Sequence, residues 1–241
     1  MAGQIRIGCS GWSYPHWRAR FYPEKMPARK HFAFYTEHFD TVELNNSFYR
    51  QPPAERFVSW REQAPPGFLF AVKGSRYVSH IRRLAVEQKS IDMVVEPALM
   101  LGDKLGPILF QFQRTFHLDL ARLERFVSML PAGLRFTLEF RHDSWLVPPV
   151  CELLQSRRIA LCIPDHPKMP QIFAITSDFT YVRMHLPARG LGYGRKSLEP
   201  WAERVLDWRA AGVDVFVYFN NDMEGHAIKD AEMLKRLLGV Q

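Results

Sequence analysis

The chain has 241 residues, of which 47% are hydrophobic and 24% charged, and its formal net charge is +7. This composition excludes wholesale disorder and a fibrous repeat. The length suits one α/β barrel, which runs to about 250 residues, so we predict a single domain over 1–241. The three cysteines form no C-x-x-C motif, and no signal-peptide core or membrane-length apolar run occurs. We therefore expect a soluble, cytoplasmic protein with no membrane partner.

Eight short apolar runs are predicted to be strands. They are rich in Val, Ile, Phe and Tyr and are apolar on both faces, which is typical of parallel strands covered by helices. In chain order the runs span 5–9, 41–45, 68–73, 107–112, 135–140, 159–163, 181–185 and 213–219.

The segments between these strands are mostly helical in pattern. Apolar residues recur at spacings of three and four in 118–130, 199–211 and 226–238, whereas the connection 165–178 has no such period. The alternation predicts an α/β fold, a single (β/α)8 TIM barrel with a degenerate sixth helix. An open doubly wound sheet is the alternative, but the Gly-x-Gly-x-x-Gly turn of that fold is missing after the first strand.

Six sequence blocks then carry a family resemblance. In order, they are IGCSGWSYPHW from residue 7, TVELNNSFYR at 41–50, FAVKGSRYVSH at 70–80, LGPILFQF at 105–112, EFRHDSW at 139–145 and VYFNNDMEGHA at 217–227. With these blocks the chain resembles the YecE-like family, domain of unknown function 72, over nearly its whole length. The resemblance implies a TIM barrel. It implies no reaction, and the likeness of some members to DNA-binding endonuclease barrels is an analogy of fold alone.

Acids and bases are concentrated where the predicted strands end, which is where TIM barrels hold their active sites. Glu43 and Glu139 lie in apolar strands, so the barrel interior desolvates them unless they are paired. We predict a general acid/base pair or a pair of metal ligands, with Lys73, Arg141 or Arg183 tuning the pKa values. Lys73 and His185 are further catalytic candidates. A buried ion-pair layer is the alternative interpretation.

A second group of residues on the same rim is predicted to bind substrate. Its aromatic members would stack bases or sugars, or else pack loops together, and its polar members would orient the ligand. The candidates are Trp12, Asn45, Tyr49, Arg76, Gln111, Arg141, His142, Trp145, Asp165, Arg183, Tyr193, Arg195, Asn220, Asn221 and Asp222.

The loop over 186–197 is a candidate anion site. Its glycines 190, 192 and 194 would let backbone N–H groups approach a phosphate, with Arg189, Arg195 and Lys196 adding charge. A plain surface loop is the alternative. No short metal-binding motif occurs, so a divalent metal is allowed but not favoured, and no organic cofactor is implied.

Charge is distributed unevenly along the chain. The segments 14–30, 73–89 and 183–196 each carry a net charge of +4, and each begins at the end of a predicted strand. Together they carry +12, which leaves −5 for the rest of the chain. The barrel mouth is therefore predicted to be basic and to meet an anionic small molecule or nucleic acid.

Three functions are compatible with these patterns. The first is an enzyme acting on a phosphorylated or otherwise anionic substrate. The second is a nucleic-acid-binding protein, with or without nuclease or repair activity. The third is a non-catalytic ligand-binding scaffold. The sequence indicates neither the reaction nor the oligomeric state.

Overall fold

A closed barrel of eight parallel strands forms the centre of the molecule. The computed structural model describes residues 1–240, and within them the strands follow one another around the barrel in chain order, which confirms the predicted TIM barrel. The strands are β1 (Ile5–Cys9), β2 (Thr41–Leu44), β3 (Leu69–Lys73), β4 (Leu105–Gln111), β5 (Phe136–Glu139), β6 (Ala160–Asp165), β7 (Phe179–Met184) and β8 (Asp214–Phe219).

Helices cover the outside of the barrel. The helices are α1 (His31–Thr36), α2 (Asn46–Tyr49), α3 (Ala54–Gln63), α4 (Gln88–Leu99), α5 (Leu120–Ser128), α6 (Pro148–Ser156), α7 (Gly194–Ala210) and α8 (His226–Leu238). Residues 166–178 connect β6 to β7 without a helix, as predicted for the degenerate sixth unit. The main apolar core lies between the strands and these helices.

The start of α7 differs from the prediction. Its helix begins at Gly194, five residues before the predicted start at 199. Proline is favoured in the first helical turn, and Pro200 makes 199 resemble a helix start. In the structure Pro200 lies inside the helix. Arg195 and Lys196 consequently belong to the first turn of α7 rather than to a flexible glycine loop.

The barrel interior is divided into an apolar lower layer and a polar upper layer. Ala71, Leu109, Cys162 and Tyr181 belong to the lower apolar cluster. Side chains two residues apart on a strand point to the same face, so residues two positions further along also point inward and form the upper layer. The buried polar members of this upper layer are Ser10, Glu43, Lys73, Gln111, Glu139 and Arg183.

Tyr35 joins β1 to β2, where strand pairing is sparse. The two strands pair only at Cys9 with Val42, whereas β1 pairs with β8 at the five residues Ile5–Cys9. The Tyr35 hydroxyl accepts a hydrogen bond from the Cys9 amide at 2.9 Å and donates one to the Thr41 carbonyl at 2.9 Å. A side-chain hydroxyl thus completes the ladder between the first two strands.

A second set of charges lies at the opposite end of the barrel, where the strands begin. Arg6 contacts Asp40 at 2.6 Å, and Arg135 contacts Asp214 at 2.6 Å and Asp178 at 3.9 Å. We call these five residues the lower ring. Each of its ion pairs remains partly exposed; the side chains of Arg135 and Asp214, for example, are 36% and 22% exposed.

Candidate functional site

Arg183 is the centre of the upper layer. Its guanidinium donates from Nε to Glu43 Oε2 at 2.9 Å and from Nη2 to Glu43 Oε1 at 2.7 Å. The same side chain donates from Nη1 to Glu139 Oε2 at 2.8 Å. All three side chains are fully buried. The planar fork of arginine thus bridges two carboxylates from strands on different sides of the barrel.

Glu43 has further donors besides Arg183. Ser10 Oγ donates to Glu43 Oε1 at 2.6 Å, and the Tyr181 hydroxyl donates to Oε2 at 2.7 Å. Burial by itself would raise the pKa of Glu43, but the charge and hydrogen bonds of Arg183 outweigh it and hold that pKa below its usual value. Glu43 is therefore an ionised carboxylate whose two oxygens are both occupied.

Glu139 is held in the same way. Gln111 Nε2 lies 3.0 Å from both of its oxygens, and Arg141 Nε donates to Oε1 at 2.7 Å. Burial opposes ionisation, but Arg141, Arg183 and His185 together keep the pKa of Glu139 well below its usual value.

These contacts correct the predicted roles of Glu43 and Glu139. A general acid or base needs an accessible oxygen and a pKa near the working pH. Both carboxylates are sealed from solvent, saturated with donors and strongly ionised. This geometry is that of the buried ion-pair layer, which was the alternative interpretation, with Arg183 shared by both carboxylates and Arg141 bound to Glu139.

His185 lies at the upper edge of this network. Its Nε2 is 3.3 Å from Glu139 Oε1, and its Nδ1 is 3.0 Å from Asn220 Nδ2. Nε2 also lies 3.4 Å from Nη1 of Arg183. Burial and the charge of Arg183 outweigh the attraction of Glu139, so the pKa of His185 is lowered and the imidazole is neutral at pH 7.

Lys73 is the exception within the upper layer. Its side chain is only 9% exposed, yet its amine makes no hydrogen bond or salt bridge with residues 1–240. The amine nitrogen Nζ is not fully buried, so it keeps some contact with solvent. Burial and the neighbouring charge of Arg183 lower the pKa of Lys73 from 10.5 to about 8, against the opposing effect of Glu43 and Glu139.

Aromatic and basic side chains surround the Lys73 amine. Nζ lies 4.3 Å from the centre of the Phe48 ring, which packs edge-on against His80 at 4.9 Å. Burial, followed by the charges of Lys73, Arg141 and Arg76, lowers the pKa of His80 to about 4. The amine therefore shares this part of the mouth with a neutral imidazole and two arginines.

Two cavities open beside the upper layer and share Tyr14. One has a volume of about 340 Å³ and is lined by His185, Asn220 and Asp222, among others. The other has a volume of about 280 Å³ and is lined by Trp12, Asn45 and Tyr49, among others. The structure thus brings several of the predicted binding residues to the mouth.

Two of the predicted binding residues, Trp145 and Tyr193, belong to the core, and a third, Asp165, is half-buried against Tyr193. Trp145 is fully buried, stacks on Phe140 at 4.5 Å and donates to the Phe116 carbonyl at 2.5 Å. Tyr193 is 5% exposed and donates to the Asp165 carbonyl at 3.2 Å. The Asp165 carboxylate accepts from Trp201 Nε1 at 3.0 Å, and burial raises its pKa. These side chains attach loops to helices. A position near a strand end therefore does not decide whether an aromatic side chain faces the mouth or packs in the core.

The glycine loop over 186–197 is organised by internal contacts. Asp230 accepts the backbone N–H groups of Tyr193 at 2.9 Å and Gly194 at 3.2 Å, and Asn221 Nδ2 donates to Asp230 at 2.7 Å. A Cβ on Gly192 would lie 2.4 Å from His226. The N–H groups of Tyr193 and Gly194 are thus directed at an internal carboxylate. The amide of Asn221, itself 5% exposed, is part of that arrangement although the residue also lines the larger mouth cavity.

The remaining predicted residues lie at the rim. Arg195 is 69% exposed and pairs with Glu199 one turn away at 2.8 Å. His142 is half-buried and pairs with Asp143 at 3.1 Å, Arg76 is exposed, and Asp222 accepts from Trp17 Nε1 at 2.8 Å. No three His, Cys, Asp or Glu side chains within residues 1–240 are grouped so as to hold a metal ion. No helix in that same range is long and apolar enough to cross a membrane.

Four contributors to the site lie outside the list of predicted catalytic and binding residues. Ser10 and Tyr181 complete the ligation of Glu43, Phe48 packs on Lys73, and Tyr14 separates the two mouth cavities. Tyr181 stands two positions before Arg183, and this period-two spacing was the signal that both side chains face inward.

Comparison with known proteins places the chain in one family. The sequence model described as "Protein of unknown function DUF72" matches residues 6–241. The UPF0759 protein YunF of Bacillus subtilis (strain 168) is 26% identical over 98% of this chain and 95% of its own length. The UPF0759 protein YecE of Escherichia coli (strain K12) is 23% identical over 85% and 82%.

Solved structures show the same architecture. A DUF72 family protein from Thermotoga maritima matches with a TM-score of 0.86 and 26% identity over 98% of this chain and 99% of its own. Another from Enterococcus faecalis matches with a TM-score of 0.84 and 22% identity over 99% and 96%. The chain therefore belongs to the DUF72 family of proteins of unknown function.

Proposed function

We propose that this protein is an enzyme that acts on an anionic small molecule at the barrel mouth, with Lys73 as the reacting group. One observation carries the proposal: Lys73 is a nearly buried cation without an anionic partner. Desolvating an unpaired ammonium is unfavourable, so a protein that keeps one is expected to use it. A bound anion would supply the missing partner.

Charge matching in the upper layer supports an anionic ligand. Glu43 and Glu139 contribute two negative charges, whereas Arg183, Arg141 and Lys73 contribute three positive ones. The two carboxylates form ion pairs with the arginines at 2.7–2.9 Å. The remaining positive charge is therefore that of Lys73. A carboxylate or phosphate beside Nζ would neutralise it in a site shielded from bulk water.

The size of the mouth favours a small ligand. The two cavities that share Tyr14 have volumes of about 340 and 280 Å³, close to the lower limit of about 300 Å³ for small-molecule sites. Lys73 is not among the residues that line either cavity. Asn45, Asn220 and His185 at their walls supply the polar groups that would orient a sugar or a short carbon chain.

Binding of inorganic sulfate tests the anion site, because sulfate keeps its charge over the working pH range. We expect sulfate to bind the unaltered protein, measured by isothermal titration calorimetry at pH 7, and the Lys73→Met variant to lose about tenfold or more in affinity. The matched control is Lys25→Met, an exposed lysine on the first mouth loop, which should bind as the unaltered protein does. Equal affinities in all three proteins would contradict the proposal.

Turnover is tested separately. The protein is incubated with a panel of phosphorylated and carboxylated metabolites, and substrate loss is followed by mass spectrometry. We expect conversion of at least one compound by the unaltered protein and by Lys25→Met, but not by Lys73→Met. Conversion that persists in Lys73→Met would remove Lys73 from the reaction.

Single-stranded nucleic acid is a second candidate ligand, favoured by the outer rim. Tyr49 and Tyr77 are 73% and 46% exposed, and exposed Arg76 precedes Tyr77. Aromatic faces beside basic side chains would stack bases and pair with phosphates. If oligonucleotides bind here, affinity measured by fluorescence anisotropy must fall steeply with salt and fall again in Tyr49→Ala. An absence of binding at low salt would dismiss this candidate.

A further inference from the structure

We infer that Lys73 forms a covalent imine with an aldehyde or ketone that carries a phosphate or carboxylate group. The inference rests on the proposed function and deepens it, because it names the functional group of the substrate. It starts from the position of Nζ, which is not fully sealed from solvent, packs on Phe48 at 4.3 Å and makes no hydrogen bond or salt bridge to residues 1–240.

The other nucleophile types in the barrel are inactivated by their surroundings. Ser10 Oγ is fixed as a donor to Glu43 at 2.6 Å, and Glu43 is too strongly ionised to take its proton. Cys162 is buried, with Sγ 4.0 Å from Glu139 Oε2, so burial and this negative charge raise its pKa. Tyr181 is likewise fixed as a donor to Glu43. Lys73 keeps both solvent access and an unengaged nitrogen.

The surroundings of Lys73 also suit amine chemistry. An amine reacts with a carbonyl in its neutral form, and desolvation next to other cations is how proteins keep that form available. Arg183 and Arg141 provide the neighbouring cations, and the Phe48 ring excludes water from one side of Nζ. A pKa of about 8 gives Lys73 a substantial neutral fraction at physiological pH.

The step balances without any other reagent. The Nζ lone pair forms a C–N bond to the carbonyl carbon while the carbonyl π electrons move to oxygen. Proton transfers then convert that oxygen to water, and the C–O bond breaks. Overall, the lysine ammonium and the carbonyl compound give a protonated imine and one water molecule. The water contains the carbonyl oxygen and two of the three ammonium protons.

The anionic group of the substrate follows from the charges around the amine. Once the imine nitrogen keeps one positive charge, the upper layer retains its excess of one cation. A phosphate or carboxylate attached to the carbonyl compound would contact Arg141, which is 21% exposed, or Arg76 at the rim. An uncharged carbonyl compound would leave this excess positive charge without a counter-charge.

Reductive trapping tests the inference. The protein is incubated with glycolaldehyde phosphate and sodium cyanoborohydride, and the modified lysines are identified by peptide mass spectrometry. We expect Lys73 to be labelled about tenfold or more faster than exposed Lys168, because its pKa of about 8 leaves far more neutral amine. Uncharged glycolaldehyde is the matched reagent and should label Lys73 more slowly than its phosphate does.

Two further arms complete the test. Lys73→Gln should lose the fast label, whereas Lys168→Gln should keep it. Excess sulfate should protect Lys73 from labelling in the unaltered protein, a test that does not depend on the folding of a variant. If sulfate binds but Lys73 is not trapped, the imine is wrong and the anion site stands. If sulfate does not bind, the proposed function fails independently. Equal rates with glycolaldehyde and its phosphate would overturn the anionic substrate class.

Discussion

The two ends of the barrel use the same residue types in opposite ways. The lower ring has two arginines and three aspartates, and its ion pairs are partly exposed. The upper layer has two glutamates and three basic side chains, and its central pairs are fully buried. Exposed ion pairs contribute little to stability, whereas a buried charge without a counter-charge is strongly destabilising. The one unpaired charge at the buried end, that of Lys73, is therefore the charge that points to a ligand.

The largest expected effect comes from breaking the central pair. Arg183→Met would leave the carboxylates of Glu43 and Glu139 buried without their shared cation, so we expect a loss of about 3–5 kcal/mol or more in the free energy of unfolding. Arg135→Met in the lower ring should cost about 1 kcal/mol, since its side chain is 36% exposed. Urea denaturation followed by circular dichroism measures both.

A rescue variant separates charge from packing in this comparison. Adding Glu43→Gln and Glu139→Gln to Arg183→Met removes the unpaired charges, so part of the lost stability should return. Similar losses for Arg183→Met and Arg135→Met would mean that the two ends of the barrel are equivalent.

The next effect is a gain in stability. Lys73→Met removes an unpaired buried cation, and we expect a gain on the order of 3 kcal/mol at pH 7, from a shift of about 2.5 pKa units. The groups that face Lys73 are Glu43, Glu139, Arg183, Arg141 and His80. Thermal unfolding at fixed pH measures the gain, with Lys25→Met as the control that should change little.

The pH dependence of this gain has a definite sign. The pKa of Lys73 is lower in the folded protein, about 8, than the usual 10.5, so between these values the unfolded chain binds more protons. Stability of the unaltered protein therefore rises with pH through this window. The advantage of Lys73→Met should be full below pH 8 and disappear near pH 10.5. A constant advantage from pH 7 to 10.5 would show that Lys73 does not titrate as described.

Sulfate binding should follow the same titration. Because the Lys73 ammonium attracts the anion, raising the pH from 7 to 9 should weaken sulfate binding about tenfold. Lys73→Met should bind sulfate weakly at both pH values, and calorimetry at constant ionic strength measures the difference. A pH dependence that survives in Lys73→Met would assign it to another group.

The smallest effect is expected at the start of α7. Arg195→Ala removes an exposed pair with Glu199, so stability should fall by no more than about 0.5 kcal/mol, and sulfate affinity should stay unchanged. Chemical denaturation and calorimetry check the two quantities. A clear loss of sulfate affinity would indicate that the glycine loop over 186–197 is part of the anion site.

The sequence was sufficient for the barrel, and for the presence of Glu43 and Glu139 inside it. Apolar runs of strand length recur eight times, and each acid interrupts one of them. Which acid pairs with which base was not predictable, because Arg183 lies 140 residues from Glu43 and 44 from Glu139. Only closure of the barrel brings the three side chains together.

Side-chain direction was the second limit. Trp145 and Tyr193 stand near strand ends, as ligand-binding aromatics would, but both are buried. The apolar residues that receive them, such as Phe140 and Phe116, are assembled only by the fold. Lys73 was among the predicted residues, yet its lack of a partner is a property of three dimensions that no motif encodes.

The sparse pairing between β1 and β2 has a consequence for assembly on the ribosome. β1 is the first strand to be synthesised, but its extensive partner is β8, the last. Ile5–Cys9 therefore lacks most of its ladder until Phe219 has emerged, and the Tyr35 hydroxyl is its main early link to β2. Contacts between distant parts of a chain form slowly. We expect the backbone amides of β1 to gain protection from hydrogen exchange last, when the two termini of the chain finally meet.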